Sequence, residues 1–249
     1  MSKKKENELD FFGHLEELRK RLFYSLAAVF VVFVFNWFIA DDIYRFLAKP
    51  VTQFLPPGEK LAFTSLTSPF MMYLKVAFLA AIFFASPFIM WQLWLFISPA
   101  LYEHEKKFVV PFVLSSSFFF ILGGAFGYYI VFPWACRFFL QLGQDFRPVI
   151  TIDSYFNLAI KILLGLGVVF ELPVVAFLLA RLGLLSPKFM IKNFKYAVLI
   201  AFIIAAVITP TPDAITQTIV AGPFIFLYII AIGISYIAYK KRDKEDLAG

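Results

Sequence analysis

The sequence predicts an all-α membrane protein with six transmembrane helices, on the basis of three observations. Composition is the first: 61% of the 249 residues are hydrophobic and 16% are charged, whereas soluble domains carry about 25% charged residues. The second is a series of six apolar runs, most of them long enough to cross the roughly 30 Å hydrocarbon core of a bilayer. The third is an uneven distribution of basic residues between the connecting segments. Together they predict a single polytopic membrane domain.

The first element is the N-terminal segment 1–21, which is rich in charge. Its apolar residues between Leu9 and Leu22 recur at helical spacing, which predicts a short amphipathic helix on the membrane surface. Charged residues continue too far for a secretory signal, so we expect the first span to remain in the mature protein. The predicted spans follow at about 22–39, 69–97, 109–131, 154–180, 194–208 and 214–239, and residues 240–249 form a charged tail.

The segments between the spans contain turn signals and packing signals. Residues 40–68 form the longest loop, with a turn predicted at Lys49-Pro50 and short helices packed on the outer surface. Residues 132–153 form a second outer loop. The third span contains GGAFG from Gly123 to Gly127, and small residues at this spacing let helix backbones approach closely in lipid. The fifth span is short, because its 15 residues rise only about 22 Å.

Basic residues predict the orientation of the chain. Sixteen of the 23 lysines and arginines lie in the N-terminal segment, the 98–108 loop, the 181–195 loop and the tail, whereas five lie in the two outer loops. By the positive-inside rule, both termini face the cytoplasm. The net charge of +6 therefore indicates topology, and we expect no nucleic-acid partner.

One carboxylate, Glu171, interrupts the apolar run Leu163–Leu179, two residues before Pro173. A charged side chain at the centre of a span costs about 2.5–3.5 kcal/mol on insertion scales, so such a residue is a functional candidate. The alternative is a protonated glutamic acid packed between helices and hydrogen-bonded to a carbonyl.

The sequence gives little support for a catalytic or metal site. The two histidines, His14 and His104, lie in cytoplasmic segments, no aspartate lies within a span, and Cys136 is the single cysteine. A membrane enzyme would need a polar catalytic pair, so we expect no enzyme, cofactor or metal. A competing function is a proton-coupled small-solute transporter in which Glu171 titrates. Against it stands the absence of an internal sequence repeat.

Four cytoplasmic carboxylates lie within otherwise basic segments. Glu16 and Glu17 belong to HLEELRKRL, and Glu103 and Glu105 belong to LYEHEKK. They could form solvated surface ion pairs worth about 0–1 kcal/mol each. They could instead line an acidic recess that grips a cationic ligand, since hydrogen bonds to charged groups contribute roughly 1.5–3 kcal/mol.

Five strings give the chain a family resemblance: HLEELRKRL at 14–22, FISPALYEHEKK at 96–107, VVFPWA at 131–136, FELPV at 170–174 and TPD at 211–213. Together they resemble TatC, the multi-spanning core subunit of the twin-arginine protein translocase. The resemblance implies a cupped six-helix membrane bundle with both termini in the cytoplasm, located in the inner membrane. It also implies an oligomeric complex that exports folded proteins with the proton-motive force.

The same resemblance implies two groups of site residues. The paired arginines of a signal peptide would bind at an acidic site on the cytoplasmic side, formed by Glu17, Leu18, Arg19, Phe96 and Glu105. Single-span partners of the TatA and TatB type would dock within the membrane at Glu171, Gln217 and Thr209. Asp213 matches the family's outer-turn aspartate, although TPTPD at 209–213 is one residue longer than the TPPD pattern of the family.

Overall fold

The computed structural model describes residues 2–54, 60–98, 109–146, 149–209 and 214–246, with side chains described from Gly13 to Tyr239. These residues form helices joined by short connections, and their one β-bridge joins Ala62 to Thr151. The helices are α1 (Ser2–Phe38), α2 (Ala40–Thr52), α3 (Ser68–Ile97), α4 (Val109–Phe126), a π-helical segment (Gly127–Val131), α5 (Phe132–Leu142), α6 (Ile152–Phe170), α7 (Leu172–Arg181), α8 (Pro187–Lys192), α9 (Phe194–Ile208) and α10 (Ala214–Asp246).

The predicted all-α membrane class is confirmed. Within the described ranges, five helical segments are long and apolar enough to cross a membrane, and the apolar helix Phe194–Ile208 is shorter. The five are Gly13–Phe38, Ser68–Ile97, Val109–Leu142, Ile152–Arg181 and Ala214–Tyr239. The cytoplasmic location of the termini stays a prediction.

The N-terminal helix differs from its prediction. A surface helix over residues 9–22 and a span from 22 to 39 were expected as two elements, but α1 runs without interruption from Ser2 to Phe38. No proline lies in this stretch, and Gly13 is its one glycine. Because nothing in the local sequence breaks the backbone hydrogen bonding, the amphipathic segment and the apolar segment share one helix.

The third apolar helix is longer than predicted. The outer loop expected from residue 132 begins only after Leu142, because the π-helical segment and α5 continue α4. Pro133 lacks an amide hydrogen, and its ring would clash with the carbonyl four residues earlier in a regular α-helix. The wider π-helical turn directly before it makes room for the proline.

A second proline, Pro50, lies inside α2 rather than in the predicted turn. A proline leaves the carbonyl four residues earlier without its helical partner, and here that carbonyl belongs to Phe46. The Tyr128 hydroxyl donates to the Phe46 carbonyl at 2.6 Å. One residue later, the Tyr155 hydroxyl donates to the Leu47 carbonyl at 2.7 Å. These two bonds tie the outer helix α2 to the bundle.

The core forms where α4 crosses α6 at very short range. A Cβ atom on Gly123 would lie 2.5 Å from the Leu166 carbonyl oxygen, and one on Gly167 would lie 3.0 Å from the Phe120 ring. Leu166 is fully buried at this crossing. The close approach predicted from the small residues of GGAFG is confirmed.

Replacing Gly123 by alanine should therefore destabilise the bundle. The added methyl group meets backbone atoms of α6 that no side-chain rotation can move aside, and overpacking of this kind costs about 1–3 kcal/mol. A lower midpoint of thermal unfolding in detergent would show the loss. Gly233→Ala is the matched control, because a Cβ atom there has nothing within 4 Å. Equal midpoints for both variants would contradict the close crossing.

The end of α9 is set well into the bundle. Ile208 packs against Gly165, where an added Cβ atom would lie 2.5 Å from the Ile208 side chain. Gly165 follows the start of α6 by 13 residues, which corresponds to about 20 Å along the helix. The predicted short fifth helix agrees with the structure, and its last turn lies about 20 Å along α6 from the start of that helix at Ile152.

Candidate functional site

Helix α1 brings Glu17 against α3. Arg21 lies one turn after Glu17 and donates from its Nη2 atom to Glu17 Oε1 at 3.1 Å. The Nη1 atom of Arg21 donates to Gln92 Oε1 on α3 at 3.4 Å. The Glu17 side chain remains 31% exposed, so its carboxylate is oriented by Arg21 and still open to solvent.

An aromatic pair lies beside this carboxylate. His14 of α1 stacks on Phe96 of α3, with ring centroids 4.5 Å apart and planes inclined by 27°. His14, Glu17 and Arg21 follow one another at spacings of three and four residues, so they share one face of α1. The structure thus places two of the predicted recognition residues, Glu17 and Phe96, at the same α1–α3 contact.

One other predicted residue, Arg19, lies away from that contact. Arg19 follows Glu17 by two residues, which places it about 200° around the helix. It lines a different surface depression together with Glu16 and Lys20. Leu18 is exposed. Glu105 lies outside the described residues, as does Glu103.

This arrangement suits a ligand that has a guanidinium group followed by an apolar segment. Within the described part of the chain, Glu17 Oε2 meets no donor, so one carboxylate oxygen is open to an incoming cation. The faces of the His14–Phe96 pair can contact a planar guanidinium. Leu15, Leu18 and Leu22 are exposed along another face of α1 and offer apolar surface beyond the carboxylate.

Sequence reasoning missed three residues of this site: Arg21, Gln92 and His14. The four-residue spacing from Glu17 was a signal for Arg21, because side chains at this spacing face each other on a helix. Gln92 is 71 residues from Arg21 in the chain, and no pattern in the sequence links the two.

The second candidate site is centred on Glu171, at the junction of α6 and α7. Glu171 ends α6 and precedes α7, whose second residue is Pro173. Because a proline cannot donate to the preceding turn, the helix is interrupted at the carboxylate. The interruption places a polar side chain in the middle of the apolar segment Ile152–Arg181.

Helix α4 supplies a partner for this carboxylate. The Ser116 hydroxyl group interacts with the Glu171 carboxylate, and Ser116 is only 1% exposed. The Oε1 atom of Glu171 is buried and makes no hydrogen bond to any described residue. Glu171 therefore has a hydroxyl group of another helix as its neighbour, and the alternative of a glutamic acid bonded to a carbonyl stays a prediction. One oxygen keeps its capacity to bind a further donor.

Three further predicted residues flank the turn after α9. Thr209 is buried, and its hydroxyl donates to the Ala205 carbonyl at 2.8 Å, so it is not presented on the surface. Gln217 is partly exposed on the first turn of α10. No hydrogen bond joins Gln217 to Glu171 among the described residues. Asp213 lies outside the described residues.

Comparison with known proteins gives one consistent result. Residues 13–223 match the family of the Sec-independent protein translocase protein (TatC). The TatC protein of Koribacter versatilis is 41% identical over 240 residues, which cover 95% of this chain and 89% of the relative. That of Desulforapulum autotrophicum is 42% identical and covers 98% and 90% of the two chains. A crystal structure of the twin-arginine translocase receptor TatC superposes with a TM-score of 0.81 at 36% identity, over 90% of this chain and 99% of that one.

Proposed function

Because this chain belongs to the TatC family, we propose that it is the receptor and scaffold subunit of a twin-arginine translocase. The family is a component of a protein translocase and not an enzyme. The chain is accordingly a multi-pass protein of the inner membrane that works in a complex with other translocase subunits. The family assignment decides against the small-solute transporter.

The proposed receptor function is binding of paired-arginine signal peptides at Glu17 and Glu105. One observation supports it above the others: Glu17 is oriented by Arg21 yet keeps an open carboxylate edge next to the His14–Phe96 pair. An arginine side chain can donate two parallel hydrogen bonds to a carboxylate. The hydrophobic segment that follows in a signal peptide would lie along the exposed leucines of α1.

The proposed scaffold function is docking of single-span partners of the TatA and TatB type at Glu171. The buried Oε1 atom without a described donor supports this proposal, since an unsatisfied polar group at membrane depth favours a partner that brings a donor. Gln217 offers a second polar group on α10. Thr209 is buried, so its contribution would be to hold the turn rather than to touch the partner.

The direction of transport follows from the proposed topology. With both termini in the cytoplasm, as the distribution of basic residues predicts, the α1–α3 site faces the compartment in which signal peptides are made. Export of folded proteins would then draw on the proton-motive force.

A crosslinking experiment tests the receptor proposal. A photoreactive residue at Leu18 should capture a signal peptide that carries two arginines, and capture should fall about tenfold when both arginines are lysines. The lysine ammonium is a compact charge, whereas the arginine guanidinium is planar and can donate two parallel hydrogen bonds. The lysine peptide therefore loses bidentate contact with the carboxylates. A photoreactive residue at Phe23, on another face of α1, is the control. Equal capture of both peptides from Leu18 would contradict the arginine site.

A further inference from the structure

Two lysines lie within the membrane-spanning segments, near the ends of α3 and α6 that carry the Ala62–Thr151 bridge. These ends are adjacent because the Ala62 amide donates to the Ile150 carbonyl at 2.9 Å and the Ile152 amide donates to the Ala62 carbonyl at 2.8 Å. Lys75 follows the start of α3 by seven residues, and Lys161 follows the start of α6 by nine. At 1.5 Å per residue, both lie about 10–14 Å along their helices.

Asn157 holds the ammonium group of Lys75 against α6. The Lys75 ammonium donates to Asn157 Oδ1 at 2.9 Å, across 82 residues of sequence. Lys161 lies one turn after Asn157 on α6, and side chains at this spacing are about 5–6 Å apart at Cβ. Lys75 is thus held towards α6, on which Lys161 lies one turn after the same amide.

Neither lysine has a countercharge in the described part of the chain. The ion pairs found there join Arg21 to Glu17 and Arg45 to Asp41. Asn157 provides a neutral acceptor for Lys75. This acceptor satisfies one N–H donor of the ammonium group but does not neutralise its charge. Cationic side chains at this depth extend towards the headgroup region or pair with an anion.

A cavity of about 560 Å³ opens beside this pair. Its polar part is formed by Ser154, Asn157 and Lys161, and the rest of its wall is apolar, including Phe139, Leu140 and Leu158. Such a cavity fits an amphiphile. The cationic and hydrogen-bonding groups match an anionic head, and the apolar wall matches an acyl chain. Basic pockets between transmembrane helices bind anionic lipid headgroups on the matrix or cytoplasmic side of membranes, and the same chemistry is available at this end of the bundle, which the predicted topology places on the opposite side.

We propose that the Lys75–Asn157–Lys161 cluster binds the phosphate of an anionic phospholipid, with an acyl chain in the adjoining cavity. Lys161 and Lys75 supply the positive charge, while Asn157 and Ser154 supply hydrogen bonds to the phosphate oxygens. A zwitterionic phospholipid would bind less well, because its ammonium group would meet two lysines. This site is separate from Glu17 and Glu171, so it does not depend on the proposed receptor and scaffold functions.

Native mass spectrometry of the detergent-solubilised full chain tests the proposal. Phosphatidylglycerol should bind more tightly than phosphatidylethanolamine with the same acyl chains. Each lysine near a headgroup contributes roughly a fivefold gain in affinity, so Lys75→Gln with Lys161→Gln should weaken phosphatidylglycerol binding about 25-fold. Lys161→Arg, which keeps the charge, should retain binding. Lys49→Gln is the matched control, because Lys49 is an exposed lysine of α2 outside the cavity.

Thermal unfolding of each variant separates loss of the site from loss of the fold, and only variants with the wild-type midpoint are compared. Glycerol phosphate, which has the head but no chain, should bind far more weakly than the lipid. A site for free phosphate would bind glycerol phosphate and the lipid equally, and that result would overturn the proposal. Equal lipid binding by the double variant and by Lys49→Gln would also overturn it. So would protection of both lysines from chemical labelling by a partner helix but not by phosphatidylglycerol.

Discussion

Glu17→Ala is expected to lower the affinity for a paired-arginine signal peptide about 10- to 100-fold, and Glu17→Ala with Glu105→Ala to abolish measurable binding. A hydrogen bond to a charged group contributes roughly 1.5–3 kcal/mol, and each 1.4 kcal/mol is a factor of ten in affinity. Glu17 is the carboxylate that Arg21 holds in place at the α1–α3 contact. Crosslinking or direct binding of a labelled peptide to purified protein measures the loss.

The adjacent carboxylate provides the control for this experiment. Glu16 is exposed and lines the depression that contains Arg19 and Lys20, so Glu16→Ala removes the same charge from α1 without touching the α1–α3 contact. It should leave binding within about twofold of the wild type, because exposed charges contribute little. If Glu16→Ala and Glu17→Ala weaken binding equally, general electrostatic attraction rather than a built site would explain recognition.

Glu171→Ala is expected to abolish export and to reduce crosslinking of single-span partners at least fivefold, whereas Glu171→Gln should keep most of both. Alanine removes the docking group and the carboxylate that lies beside the buried Ser116 hydroxyl, and a buried polar group left unsatisfied costs about 1–3 kcal/mol. Glutamine removes the charge but retains a hydrogen-bonding side chain of nearly the same size. Export assays in cells and crosslinking in membranes report the two effects separately.

The comparison of the two Glu171 variants decides what the carboxylate does. Equal and complete loss of export in both would show that Glu171 titrates during transport and would contradict the docking function. Asp153→Asn is the control, because it neutralises a carboxylate in the first turn of the same helix α6. We expect export by that variant to stay near the wild-type level.

The signal-peptide site was predictable only in part. Glu17 and Phe96 could be named from the family resemblance, and the structure brings them to the same α1–α3 contact. Arg19 was named with them but lies on another face of α1. The motif groups residues that are neighbours in sequence, whereas an α-helix turns residues two positions apart to nearly opposite sides. His14 and Gln92 joined the site only through the packing of α1 on α3.

The intramembrane site shows the same division. A lone glutamate in an apolar run marks a functional position without any structure, because its transfer into hydrocarbon is unfavourable. Its proximity to Ser116 depends on how α4 crosses α6, and that crossing depends on Gly123 and Gly167. Thr209 could be assigned to the docking surface by position in the motif, but its burial follows from the packing of the end of α9.

By itself, the sequence determined the class of the protein, its apolar helices and the close approach at GGAFG. Hydropathy and helical rise depend on local composition, and only helices or closed barrels satisfy their backbone hydrogen bonds in lipid. Only the tertiary structure decided that Pro50 frees a carbonyl for Tyr128, that Arg21 reaches Gln92 and that Lys75 is held by Asn157. Each of these contacts joins residues more than 70 positions apart, and their distance is set by helix packing, which no local pattern in the chain encodes.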